Sequence, residues 1–279
     1  MTFVVATFYH FFDFADYASK REPLLDLFAK HNIKGSLLIA DEGFNGTISG
    51  TREDIDVALA YLKDEIAHGE FEHKESFHNV QPFKRCKVRL KKETISLREH
   101  CPPELRGEYV EPKDWNALIA DPDTIVLDTR NTYETYLGTF ERAIDPQIRN
   151  FRDLPEYIRS ELSDKKDKKI ATFCTGGIRC EKLTSWMKDQ GFEKVYHLKG
   201  GILKYFEDVP TKDSMWNGEC YVFDERIAVD QELNPSTDAT SCQPCGHTLT
   251  AKDRADERYQ ENVSCPYCFD MNWEDRFSR

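Results

Sequence analysis

The chain has 279 residues, 39% hydrophobic and 12% aromatic, with a net charge of -12; it is long enough for about two domains of ~100–200 residues and apolar enough for packed cores, which excludes a disordered protein. No uninterrupted apolar stretch approaches the ~18 residues of a membrane span, and MTFVVATFYHFFDF at the N-terminus lacks a basic leader, so a cytoplasmic protein with no membrane partner is expected. Nine cysteines, an odd number with some closely paired, suit a reducing compartment and read as thiols or metal ligands rather than a disulfide framework.

In chain order, FVVATFYHF reads as a strand, EPLLDLFAKHN as a helix, and KGSLLIA and GTISG as strands joined through DEGFN. TREDIDVALAYLKDEI is a second helix, started by a capping box of Thr51 and Asp54. FEHKESFH is poorly defined, and FKRCKVRLKKETISL gives the final strand. That order is a ferredoxin-like βαββαβ domain over 1–100. CPPELRGEYVEP, with its prolines and charge, is a linker over 101–112. TIVLDTR, the helix DLPEYIRSELSD, the strand KKIATF, a helix ending near Gly191 and the strand KVYHL then alternate as in a parallel-sheet α/β domain over 113–210. Residues 211–279 form a Cys-rich extension.

Charge is unevenly placed. KRCKVRLKK gathers Lys84, Arg85, Lys87, Arg89, Lys91 and Lys92 with no acid, whereas residues 210–279 hold 7 Lys or Arg against 14 Asp or Glu. A basic strip on an acidic body permits RNA binding, and a strand edge guarded by solvated lysines accounts for it equally well. Glu42 and Asn45 in DEGFNG suit either a site facing RNA or a turn, which Gly43 and Gly46 favour. His10, His31, His73 and His197 stand alone in sequence and read as surface or core residues.

The sharpest local signal is IATFCTGGIRCEKLTSWM. Cys174 sits where a buried strand ends and a helix begins, at the end of the sheet where α/β proteins bind ligands. Gly176 and Gly177 allow a tight turn that exposes amides, making an anion-binding nest that faces Cys174. Those amides, the helix N-terminus and the Arg179 guanidinium all favour thiolate over thiol. A cysteine phosphatase loop needs five residues between its Cys and Arg; here there are four, a ring better suited to sulfane sulfur than to a phosphoryl group. Cys180 is read as a packing residue on the stripe with Leu183 and Met187 rather than a resolving thiol.

CTGGIR, with VLDTRNTYETYLGTFERAI before it and VYHLKGGILKYF after it, resembles the active loop and flanks of rhodanese domains. The resemblance implies that Cys174 holds a persulfide, that Thr175, Gly176, Gly177, Ile178 and Arg179 cradle it, and that Asp128 and Arg130 give structural support. Taken with DEGFNGTISG, CTGGIRCEK and WNGECYVFDERIAV, nearly the whole chain resembles the rhodanese-like tRNA uridine hydroxylases. That likeness implies oxygen-dependent formation of 5-hydroxyuridine at the wobble position of tRNA, with molecular oxygen as co-substrate. The residues themselves display no flavin, haem or nicotinamide motif, and they name no sulfur or electron donor. A sulfurtransferase carrying a Cys174 persulfide needs the same loop, and a non-enzymatic RNA- or protein-binding module is the remaining alternative.

Cys242-x2-Cys245, nineteen residues, then Cys265-x2-Cys268 match the spacing of a four-thiolate zinc site. Four sulfurs leave zinc coordinatively closed, so a structural role is expected, and His247 is a spare ligand that the site does not require.

Overall fold

Alternation along β1 (Phe3–Phe11) sets the two faces of the first sheet. Val4, Ala6 and Phe8 enter a core with Phe28, Leu37, Phe44 and Ile55, whereas Val5 and Thr7 face the other way. The computed structural model describes residues 2–71 and 73–271; residues 272–279 of the C-terminal extension lie outside that range. β1 is followed by α1 (Arg21–Lys30), β2 (Lys34–Ala40), β3 (Gly43–Gly50), α2 (Arg52–Tyr61), β4 (His73–His78) and β5 (Cys86–Leu90). The sheet order is β4-β1-β3-β2-β5. Thr51 caps α2 as expected, accepting a hydrogen bond from the Asp54 amide and donating to its carboxylate at 2.6 Å.

One assignment is corrected. The strand that completes the ferredoxin-like unit is β4, which lies antiparallel to β1, and not the basic segment. The basic segment forms β5, an added edge strand parallel to β2. The polar sequence of β4 disguised it, because one face of this sheet is not packed by its own helices and therefore needs no apolar residues there.

The second domain contains β6 (Glu108–Val110), α3 (Pro112–Ala120), β7 (Thr124–Asp128), α4 (Thr132–Thr135), β8 (Gly138–Phe140), α5 (Leu154–Glu161), β9 (Lys169–Phe173), α6 (Ile178–Asp189), β10 (Lys194–Leu198) and α7 (Gly201–Asp208). Its parallel sheet runs β6-β10-β9-β7. The segment read as a linker thus supplies β6, hydrogen-bonded to β10.

The extension is not an appendage. Its β11 (Trp216–Gly218) pairs antiparallel with β8, and the Trp216 ring meets Phe140 edge-on at 5.0 Å in the second domain's core. β12 (Cys220–Tyr221) and β13 (Ala228–Val229) form a hairpin, and β14 (Thr240–Ser241), β15 (Thr248–Leu249) and α8 (Ala251–Arg254) surround the paired cysteines. Among the described residues no helix is long and apolar enough to cross a membrane.

Candidate active site

Cys174 follows β9 directly, and its side chain is fully buried. The turn that follows depends on glycine. Gly177 lies at φ +101, where an L side chain is strained, and its amide donates to the Cys174 sulfur at 3.0 Å. The carbonyls of the loop are taken up from outside by α7, whose Ile202 and Leu203 amides donate to the Cys174 and Thr175 carbonyls at 3.0 and 3.1 Å. Gly201, at φ +69, makes that approach possible: a Cβ there would stand 2.5 Å from the Cys174 carbonyl oxygen and 2.7 Å from the Gly177 nitrogen. With its carbonyls held outward, the loop turns amides toward the sulfur.

Burial alone pushes the Cys174 thiol up, but hydrogen bonding from Cys180 and the Gly177 amide, together with the nearby positive charge of Arg179, outweighs it and brings the group well below the ordinary thiol range. Cys180 moves the opposite way: burial and the neighbouring Cys174 charge keep it protonated. Cys180 is therefore more than a packing residue, since its thiol and amide both serve the Cys174 sulfur. Thr129 Oγ1 lies 3.4 Å from the Cys180 sulfur.

Arg179 does not reach across the loop unaided. Both its terminal nitrogens bond Glu134, at 2.5 and 2.7 Å, with the carboxylate fully buried and the Arg179 side chain 5% exposed. Glu134 also receives the Thr175 hydroxyl at 3.3 Å and the Asn131 amide at 3.2 Å. It is the functional residue the sequence reading missed. Asn131 and Glu134 have capping-box spacing, which announces the start of α4 but not the second use of the carboxylate. Asp128 and Arg130, fully buried and paired at 2.6 Å, fix the end of β7, with Arg130 also donating to the Gly138 carbonyl at 2.6 Å.

The loop opens into a cavity of about 420 Å³ between the two domains, within the usual range of small-ligand sites, roughly 300–1,000 Å³. One wall carries Cys174, Thr175 and Arg179. The opposite wall is the free face of the first sheet, including Thr7, Asn45 and Thr47. The turn after β12, with Val222 and Phe223, closes a third side. Lys74 of β4 donates to the Gly176 carbonyl at 2.9 Å, and Tyr9 of β1 donates to Glu181 of α6 at 2.9 Å. Lys182, also on α6, is buried between Glu42 and Glu93 at 2.8 and 2.7 Å.

Glu42 is thus a domain-joining residue at a turn, and Asn45 lies within β3 on the cavity wall rather than in the turn. Lys84, Arg85, Lys87, Arg89, Lys91 and Lys92 are all exposed along the β5 edge. Lys87 pairs in register with Ser36 and Arg89 with Leu38, two residues of the cavity wall, so this part of the strip continues the same face. His197 is buried against Tyr109, with ring centroids 4.2 Å apart, and burial lowers its pKa to about 4, as suits a neutral core residue.

The sulfurs of Cys242, Cys245, Cys265 and Cys268 lie within 4.8 Å of one another. Three of the sulfur–sulfur separations, 3.6, 3.7 and 3.9 Å, match the edge of about 3.8 Å that a tetrahedron with Zn–S bonds of ~2.3 Å requires. The cluster can hold a metal such as zinc. The His247 ring stacks on Tyr267 at 3.9 Å, outside the sulfur set. The cluster bears on the active loop through α4: Tyr136 donates to Asp253 at 2.8 Å and packs on both His247 and Tyr267, while the Thr248 hydroxyl donates to the Tyr133 carbonyl.

Comparison with known proteins places two domains on the chain. Residues 3–94 match the UPF0176 acylphosphatase like domain, and residues 111–208 match the Rhodanese-like domain. Among solved structures, a rhodanese-related protein from Thermoplasma volcanium is 22% identical, with 37% of this chain and 93% of that one covered and a TM-score of 0.30. A rhodanese-like domain from Anabaena sp. is 21% identical, with 39% and 78% covered and a TM-score of 0.33. Full-length HypF in its phosphate- and nucleotide-bound form is 16% identical over 32% of this chain, with a TM-score of 0.25, and the match spans only 12% of HypF's own length.

Proposed function

We propose that this chain, a rhodanese-family protein with the UPF0176 N-terminal domain, is a cytoplasmic tRNA-modifying enzyme that hydroxylates the wobble uridine at C5, with Cys174 as its nucleophile. The observation that carries the reading is a sulfur held as thiolate on the floor of a nucleoside-sized cavity whose opposite wall continues into an exposed basic edge. Phosphates would follow Lys84, Arg85, Lys87, Arg89, Lys91 and Lys92, while one unstacked base enters the cavity, as enzymes acting on a base require.

Uracil is electrophilic at C6. Addition of the Cys174 thiolate there forms an S–C6 bond and moves the C5–C6 π pair onto C5 and O4, which makes C5 reactive toward an oxidant. Molecular oxygen as co-substrate supplies the inserted atom; its second atom leaves as water, with two electrons and two protons from an external reductant. Loss of the proton from C5, with expulsion of the Cys174 thiolate from C6, restores the C5–C6 double bond. Arg179 and the loop amides hold the thiolate before the attack and receive it again afterwards. Cys242, Cys245, Cys265 and Cys268 would hold zinc, which with four sulfur ligands would serve a structural role only.

The loop equally suits a Cys174 persulfide, so sulfur transfer is the competing reaction, and the modified nucleoside decides between them. The test is nucleoside mass spectrometry of tRNA from cells lacking the protein, complemented with wild type or Cys174→Ser. Loss of 5-hydroxyuridine derivatives restored only by wild type is expected. Loss of thiolated nucleosides instead would assign sulfur transfer, and unchanged tRNA would remove tRNA as the substrate.

A further inference from the structure

Phe223 is 54% exposed, unusual for a large aromatic ring at the wall of a cavity that also holds a reactive sulfur. Its backbone is not loosely placed. The next residue, Asp224, forms a forked pair with Arg226 at 2.6 and 2.9 Å, both side chains nearly buried, and Arg226 reaches on to Ser76 of β4 at 2.9 Å. The Glu225 amide bonds the Pro82 carbonyl at 3.3 Å, and its carboxylate pairs with Lys84 at 3.3 Å. One turn therefore presents an open aromatic face, is locked to the first domain, and touches the start of the basic strip. On the inner side the Arg179 guanidinium carbon lies 5.9 Å from the Phe223 ring centroid.

We infer that Phe223 is the stacking platform for a nucleobase of single-stranded RNA, holding the ring over Cys174 while the sugar-phosphate chain leaves along β5. The inference rests on RNA being the substrate, as proposed above, and adds the residue that positions the base. Phe83, Tyr133 and Phe151 also line the cavity but are half-buried or buried, so among its aromatic residues Phe223 is the exposed one; the polar groups of the cavity suit the edges of a base, and an open π surface orients its plane. A rigid turn suits that task, because the ring need not be ordered when RNA arrives.

The test uses the full chain and a tRNA anticodon stem-loop carrying 5-iodouridine at the wobble position, which cross-links on irradiation to a stacked aromatic ring. A cross-link mapping to the Phe223 peptide is expected. Phe223→Ala should keep the wild-type melting temperature, since the ring is half exposed, yet bind the stem-loop at least about fivefold more weakly; Phe223→Trp should restore binding. A cross-link elsewhere, or Phe223→Ala binding and reacting as wild type does, would overturn the platform. If the Phe223 cross-link forms while tRNA nucleosides in cells prove independent of Cys174, the platform stands and the proposed chemistry falls.

Discussion

Replacing Glu134 by Gln removes a charge from the centre of the active loop and leaves Arg179 buried with a neutral partner. In wild type both guanidinium nitrogens are bonded to this carboxylate, and neither side chain is more than 5% exposed. Solvent therefore cannot take over the lost interaction, and breaking such a buried pair costs about 3–5 kcal/mol. For a cooperative unit of about 100 residues, each kcal/mol corresponds to ~4–8 °C, so the melting temperature should fall by at least ~12 °C. The pH dependence gives an independent reading. Burial pushes the Glu134 carboxyl up, but Arg179 more than compensates, leaving its pKa lowered in the fold. The stabilisation is therefore complete above the unfolded-state value of about 4.3 and is lost as pH falls from there through the folded-state value. Thermal unfolding of both proteins from pH 7 down to pH 3 measures both effects. A Glu134→Gln loss below about 1 kcal/mol, or an unchanged acid slope, would show that Arg179 is anchored elsewhere and refute the clamp.

Gly201→Ala places a methyl 2.5 Å from the Cys174 carbonyl oxygen at a positive φ; the expected result is loss of Cys174 alkylation by iodoacetamide at neutral pH, read by peptide mass spectrometry. Wild-type Cys174, held as thiolate, should alkylate at a rate nearly constant from pH 7 to 9, whereas an ordinary thiol of pKa about 8.5 would speed up roughly 25-fold over that range. Removing the metal with a chelator, followed by elemental analysis, should release zinc, open the segment beyond residue 239 to proteolysis and slow Cys174 alkylation, because Tyr136 loses its support from Asp253, His247 and Tyr267.

What the sequence made legible was whatever a short segment demands by itself. Gly177 must adopt a positive φ, so the turn after Cys174 is written into one peptide. Four thiolates must meet one ion, so two Cys-x2-Cys pairs announce their cluster across any intervening chain. The fold class followed from the alternation of strands and helices for the same reason. Less legible was everything settled by pairing between distant segments. His73–His78 is a strand because β1 offers it an edge, not because its residues prefer one. Glu134 carries a helix-capping signature that is satisfied locally, and its bond to Arg179, 45 residues away, leaves no further mark in the sequence. Trp216 looks like part of a tail until β11 pairs with β8 and completes the core.

The same distinction separates chemistry from selectivity in this molecule. Cys174, its glycines and Arg179, with Glu134 and α7 behind them, hold a thiolate, and nothing in that set distinguishes one electrophile from another. Selection has to come from the other two walls, built by the first sheet and the turn after β12. Those walls are joined to the loop, to α6 behind it and to each other by directional polar bonds: Lys74 to Gly176, Tyr9 to Glu181, Lys182 to Glu42 and Glu93, and Arg226 to Ser76. An apolar interface of equal area would hold the domains as firmly, but it would tolerate sliding. A buried lysine shared by two carboxylates fits only one register, and a unique register is the best-attested use of a buried ionic group. The polar joints therefore account for the shape of the cavity, and through it for which ligand can reach the sulfur.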